Sequence, residues 1–570
     1  MSRLQPRAKA VSTSNISSQS ASANASTGSA QTIQDAAPKV GGPKTRSAPR
    51  QASSDPASDR STLFLIRRTL CPNLAEKGRN TPAPIDEILP PLTSSNEVDL
   101  QLYAFIAIII REFVHTWYTK ITPDSVFVEE VVQIIAHCTR ALEQRIRNVD
   151  IESLVLDELP DLLDVHVQAY RTSHKPLNPS PLETNPREIY HSLWPMPALS
   201  PVPDGSGGPL AQQQINNEAV YRQMLVQGVL AVLLPTEDLE NDCLTTLVGQ
   251  IFSEMIIGNG IGGKASEPWL LWEGITKIAE IVQAQLPRSQ ANVRLARSNS
   301  ELGPYVAPAE LFSSKKKWNI QWSIQKTFWL VLQYAFVAFT AARFLILTLA
   351  QSSSLPSRIT SPKISSSAVL EGHSSQDGID AEPIATKAIP SKTPIVEMRI
   401  WSAAARLLDF DFRMPWLAAT LSFLQWGALT GPGQLGNTDG RIDKILSHAI
   451  QTHVLDPSRL PFLLRTVRAA IFPANTLAPP REIPTPAESL LLRRKCAETI
   501  LSLIPEKVQG IYFGPGVEKR IKEVEDVLDC FGDSYCNKHL LYGIVELIIV
   551  RLMPELGEKG VAALLEERLS

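Results

Sequence analysis

The chain has 570 residues, with 55 Lys and Arg against 58 Asp and Glu, a net charge of -3 and a pI near 6.4. The length holds roughly two to four domains and a large core, and the charge balance excludes the basic excess of a nucleic-acid binder. Six cysteines (Cys71, Cys138, Cys243, Cys496, Cys530, Cys536) lack ligand spacing and a His partner set. No metal site is expected from them, and sparse thiols suit a reducing compartment.

From Met1 to about Arg60 the sequence is rich in Ser, Ala, Thr and Gln and nearly lacks large apolar side chains. Such a segment cannot bury enough surface to offset its ordering entropy, so residues 1–60 read as a disordered tail. It has no apolar h-region, hence no secretory signal is expected. Arg3, Arg7 and Lys9, with no acid before Asp35, carry one mark of a transit peptide, but no amphipathic helix accompanies them.

Helical signals then follow in order. Thr122 and Pro123 fit an N-cap and first helical position, and Val128, Val131, Val132, Ile135, Cys138, Leu142 and Ile146 recur on one face. Leu156, Leu159, Leu162, Leu163, His166 and Tyr170 form a second stripe. A Pro/Ser/Gly stretch from Lys175 to Pro209 separates this block from helices expected over 221–234, 239–257 and 269–282.

Lys315, Lys316 and Lys317 followed by Trp318 and Trp322 form a basic-aromatic cluster suited to a membrane surface, or simply a solvated helix entry. Phe328 to Ala350 is the most apolar run in the chain, long enough to span a bilayer. Yet Lys326, Gln333, Thr340 and Arg343 mark a narrow polar stripe along it, and a central Arg costs about 2.5–3.5 kcal/mol on insertion. A helix covering a groove is therefore favoured over a span. Residues 351–393 read as a flexible polar linker.

Beyond the linker, Asp456-Pro457 opens a helix that stops at Phe472-Pro473, and a Pro-rich break runs from Pro473 to Pro486. Thr485-Pro486-Ala487-Glu488 is a capping box launching 490–503. Gly514-Pro515-Gly516 precedes a helix through Cys530, and 540–553 is the last strong one. Strand-like alternation is almost absent, so the fold class is all-α.

The landmarks Leu102-Tyr103-Ala104-Phe105, Arg111-Glu112-Phe113, Trp117-Tyr118-Thr119-Lys120-Ile121 and Leu159 to His166 with Tyr170-Arg171 resemble the PXA domain, a helical module of a branch of the sorting nexins. Leu233-Leu234-Pro235-Thr236-Glu237-Asp238, Ile256-Ile257-Gly258 and Ser266-Glu267-Pro268-Trp269 resemble the second signature of that family. Leu407-Leu408-Asp409, Met414-Pro415-Trp416-Leu417, Gly440-Arg441-Ile442-Asp443 and Ile471-Phe472-Pro473-Ala474 are similar to the nexin C-terminal domain. The loop Thr430 to Gln434 and the Pro-rich insertion depart from that pattern. No PX or RGS domain lies between the two parts. The resemblance implies a tether or lipid-handling protein at endoplasmic reticulum contacts, with both parts packed around an apolar groove for acyl chains.

Other candidates have plainer readings. Gly258-Asn259-Gly260-Ile261-Gly262-Gly263 follows a helix instead of a strand, so it reads as an inter-helix turn and not a dinucleotide loop. His166 and Tyr170 lack converging ligands, and a buried His bonded to backbone or Tyr is the simpler account, as for His448 and His453. No catalytic motif or acid/base carboxylate pair stands out.

The expectation is an all-α, non-enzymatic protein with two helical blocks packed together: a PXA-like block over 61–285, a connector over 286–350, the linker 351–393 and a nexin C-terminal-like block over 394–570. No cofactor is expected. Its partners would be a lipid or fatty-acyl chain, a membrane surface and a protein at organelle contacts, with no nucleic acid. Phe328, Leu332, Phe336, Val337, Phe339 and Leu345 are the candidate lipid-binding residues. Placement would be cytoplasmic and peripheral, on endoplasmic reticulum or endosomal membranes. The alternative is a trafficking scaffold without a lipid cavity.

Overall fold

The computed structural model describes residues 59–71, 84–122, 124, 126–175, 185–203, 207–285, 324–358, 392–431, 433–476 and 482–570, and these contain helices and no strand. The first helices are α1 (Asp59–Leu70), α2 (Asn96–Ile109), α3 (Val126–Ile146) and α4 (Leu159–Ser173). Then come α5 (Pro186–Leu193), α6 (Pro209–Leu233), α7 (Asp242–Gln250) and α8 (Pro268–Gln285). After them run α9 (Ile324–Gln351), α10 (Ile400–Leu407), α11 (Pro415–Thr430), α12 (Arg441–His453) and α13 (Leu460–Ile471). The last four are α14 (Pro486–Leu503), α15 (Val517–Leu528), α16 (Ser534–Leu552) and α17 (Val561–Leu569).

Local chemistry sets the boundaries. The α14 capping box forms as expected: the Glu488 carboxylate accepts from the Thr485 N–H at 2.8 Å, and the Thr485 hydroxyl accepts from the Glu488 N–H. α3 begins at Val126, three residues after the first helical position its Thr122-Pro123 signal gives, and Asp124 accepts from the Val126 N–H at 3.2 Å. Pro123 lies outside the described residues. Of the expected α3 stripe, Val128 and Val132 are buried while Ile146 is exposed.

A further helix, α5, lies inside the stretch 175–209 that composition marks as a separator. Asn185 caps it by accepting from the Arg187 N–H at 3.1 Å, with Pro186 at the first helical position. Asn-Pro before Ile189, Tyr190 and Leu193 is the signal that would have found it.

The glycine run 258–263 is not a turn. It lies within a wide π-helical segment, Ile251–Ala265. A Cβ on Gly262 would stand 2.2 Å from the Tyr542 hydroxyl, and one on Gly258 would stand 3.0 Å from Arg222 Nε. These glycines let a buried polar network approach the backbone. In it Tyr542 donates to Glu218 at 2.6 Å, while Arg222 and Lys538 both pair with Glu218 at 3.2 Å. Burial opposes ionisation of Glu218, but Lys538, Tyr542 and Gln214 together hold its carboxyl below the usual range.

The core is shared across the linker. One cluster centres on Ile66, Leu92, Tyr103, Ile108 and Val132 and receives Phe472, which meets Phe105 edge-on with ring centroids 6.1 Å apart. A second packs Trp272 of α8 against Cys496, Leu501 and Phe513. The third joins Met196, Leu199 and Val226 to Tyr535 and Tyr542, and the fourth joins Val167, Tyr170 and Tyr190 to Cys530 and Cys536. Each large apolar side chain so buried contributes about 1.5–3 kcal/mol, so the clusters that combine the two parts hold them together.

Candidate membrane-facing site

The site is built on a buried polar hub. Asp443 on α12 is fully buried, and its carboxylate receives Arg358 Nη1 at 2.7 and 2.8 Å. It also accepts the N–H of Ile395 and of Asp439, both at 2.9 Å. Arg358 lies 3.4 Å from Glu152 and donates to the Thr393 carbonyl at 3.3 Å. One guanidinium thus joins the early helices, the segment after α9 and the start of the C-terminal helices. Three donor groups, the Arg358 guanidinium and two backbone N–H groups, thus make four hydrogen bonds to the buried Asp443 carboxylate. The linker is narrower than composition implies: Arg358 and Thr393, near its two ends, meet at this point.

α9 and α11 spring from this hub. The end of α9 is held through buried Ser352 and Arg358 against α12, and α11 is tied by Gln425, which donates to the Val396 carbonyl at 2.7 Å. Beyond these ties both helices show their apolar side chains to the outside. On α11, Trp416 is 69% exposed, Phe423 66% and Trp426 61%, and Leu421 and Leu424 are exposed with them. No residue of 415–430 carries a charge. The Thr420 and Thr430 hydroxyls donate to the carbonyls of Trp416 and Trp426, and Thr340 of α9 bonds likewise to Phe336 and Val337. These hydroxyls place no demand for water on the helix surface.

Of the expected lipid-binding residues, Phe328, Leu332, Phe336, Val337 and Phe339 are all on α9 and all exposed. The Leu345 side chain and the whole cluster Lys315, Lys316, Lys317, Trp318 and Trp322 lie outside the described residues. α9 meets the turn that follows it and α12, and its described apolar side chains from 328 to 347 are exposed. Among the described residues no helix is long and apolar enough to cross a membrane. α11 was missed as a site; its charge-free 16 residues bracketed by Trp416 and Trp426 were the available signal.

A cleft of about 740 Å³ opens beside the hub, and its walls are charged. Arg145 pairs there with Glu555 at 2.9 Å, Lys392 with Asp150 at 3.0 Å and Arg551 with Glu158 at 2.6 Å. It is not an apolar groove. Among the described residues no group of three or more His, Cys, Asp or Glu could hold a metal ion.

Two of the landmarks that stood out in the sequence, Arg111 and Arg171, reach the C-terminal part of the chain. Arg171 donates to the carbonyls of Arg406 and Leu407 at the end of α10 and pairs with Asp409 at 2.6 Å. Arg145 reaches the Leu552 carbonyl at the end of α16 at 3.1 Å, and Arg111 donates to the Asn475 carbonyl. Arg568 returns the contact, donating to Ala231 and Val232 at the end of α6. Cations at these carbonyls satisfy groups that a helix end leaves open. His166 is buried, with Nε2 donating to the Cys530 carbonyl at 3.0 Å and Nδ1 accepting from the Tyr190 hydroxyl at 2.9 Å. The buried reading holds for it, whereas His448 and His453 are exposed.

Residues 95–278 match the PXA domain family. The chain carries a PXA domain. It is 28% identical over 144 residues to PXA domain protein 1 of Schizosaccharomyces pombe, covering 25% of this chain and 26% of that protein. It is 26% identical over 103 residues to human sorting nexin-25, covering 18% of this chain and 12% of the nexin. A likeness at 21% identity over 470 residues joins it to an uncharacterized protein of Saccharomyces cerevisiae, covering 80% and 79% of the two chains. The first two matches thus span about a quarter and an eighth of those relatives. No solved structure matches. Of the PXA landmarks, Arg111 and Arg171 dock this domain against the C-terminal part of the same chain, whereas Phe113, Trp117 and Ile121 are exposed.

Proposed function

We propose that this sorting-nexin-related protein is a non-enzymatic, peripheral membrane adaptor of endomembrane trafficking, with α9 and α11 entering the boundary between headgroups and acyl chains. One observation carries the reading: two helices, tied down at a common hub, hold large aromatic and aliphatic side chains outward with scarcely a charge among them. Exposed apolar surface on this scale marks an interaction site. Tryptophans near the ends of α11 suit the interfacial zone, where an indole keeps one edge wet. The PXA match and the nexin relatives support a place on endoplasmic reticulum or endosomal membranes, and the landmarks at Asp409, Asp443 and Phe472 support reading 394–570 as a nexin C-terminal-like part. Acyl-chain contact would then occur at Phe336 and Phe339 on an open helix instead of inside a closed pocket.

A second reading, a protein scaffold for trafficking, is favoured by a separate exposed set, Ile109, Phe113, Trp117 and Ile121, at the end of α2. Fractionation of cells expressing the full chain separates the readings. The membrane reading expects the protein in the membrane pellet and its release by alkaline carbonate. Absence from that pellet supports the scaffold, and full retention after carbonate would instead require a spanning segment.

A further inference from the structure

The exposed helices carry charge of one sign. α9 contains two charged residues, Lys326 and Arg343, both basic, and α11 contains none. No acid occurs anywhere from Ile324 to Arg358, although the whole chain has a net charge of -3. Arg343 is exposed, and among the described residues no carboxylate pairs with it. α12, the element against which the base of α9 packs, repeats the pattern. Its Arg441 is exposed, while its single acid, Asp443, is sealed in the hub. Lys444 on the same helix is already paired, 3.4 Å from Asp439.

Geometry adds to charge. Lys326, Gln333 and Thr340 recur every seven residues, and Arg343 stands one turn beyond Thr340, so these four positions lie on one side of α9. The same side also carries the exposed Trp329 and Phe336, and the opposite side presents Phe328, Val331 and Ile346. A helix this apolar settles at the boundary of a leaflet, with the long Arg343 side chain rising to the level of the phosphates.

We propose that the surface made by α9 and α11 recognises an anionic leaflet, with the Arg343 guanidinium donating to lipid headgroup phosphate. This rests on the membrane reading above and adds the class of lipid. An unpaired guanidinium is the planar, multiple donor that phosphate oxygens match.

The test is flotation of the full chain with vesicles of phosphatidylcholine alone and of phosphatidylcholine with phosphatidylserine. The wild type binds the anionic vesicles more tightly, and that preference fades in high salt. Arg343→Ala weakens binding to the anionic vesicles about fivefold, the effect of removing one basic group from a charged surface, and leaves binding to the neutral ones unchanged. Arg343→Lys restores most of the loss. Because Arg343 is exposed, the alanine variant keeps the wild-type melting temperature. Equal wild-type binding to both compositions, or an Arg343→Ala variant that keeps full preference, overturns the inference and leaves the membrane reading standing. Failure to float with either composition overturns both.

Discussion

At the Asp443 hub, charged side chains are buried: Arg358, Asp443 and Glu152 sit beneath the surface where α12, the early helices and the linker ends meet. On α9 and α11, a short distance along the chain, Phe336 and Trp416 stand outside, 68% and 69% exposed. The two regions invert the usual distribution in opposite senses, and each is intelligible only through the other. A buried ion network is worth little as net stability but is strict in geometry. It fixes where the two apolar helices emerge. Those helices, which contribute little burial, are left to meet something outside the chain.

The strongest way to break this contrast is Asp443→Ala. It strands the Arg358 guanidinium in the interior and removes the acceptor for two backbone N–H groups, so a loss of about 3–5 kcal/mol is expected. Chemical denaturation should show the midpoint falling in a single transition, since the core is shared between the two parts.

Acid probes the interior from another side. Burial pushes His166 and His539 down to about 4. Their folded pKa lies below the unfolded value near 6.5, so their stabilising effect is fully present above about pH 6.5. It is lost as pH falls from there toward 4, by about 3 kcal/mol for each histidine. Melting temperatures measured across that window should fall, and more shallowly in His166→Asn.

Gly262→Ala is milder. It drives a methyl into the Tyr542 hydroxyl and the Glu218 network, at an expected cost of about 1–3 kcal/mol by thermal melting. The smallest effect is that of deleting Ser361 to Glu382. Arg358 and Thr393 are already in contact, so a shorter loop closes the same gap and stability changes by less than about 1 kcal/mol. A large loss would mean that the linker contributes packing of its own.

The helical class and many helix positions were legible because periodicity and caps are local: the Thr485 box, the Pro457 start and the α4 stripe need no tertiary knowledge. α5 was hidden by its Pro-rich flanks. The glycine run was misread as a turn because what fills the space above Gly262 is Tyr542, distant in sequence. His166 was legible as buried, but its partners Tyr190 and Cys530 were not, since only the fold brings α4, α5 and the turn between α15 and α16 together. The exposure of α9 was the hardest to see. Periodicity finds an apolar helix, yet it cannot tell a covered face from an open one. For α11, the absence of charge over 16 residues was visible and went unused.

The central claim is that α9 and α11 are open because they meet a membrane. The most direct measurement is vesicle flotation of the full chain beside a variant carrying Trp416→Asp, Phe423→Asp and Trp426→Asp, with thermal melting of both. These three side chains are exposed, so the variant should melt with the wild type within about 0.5 kcal/mol per site. Wild-type protein that floats while the equally stable variant stays at the bottom of the gradient is the expected result; a variant that floats as well as the wild type would contradict the account.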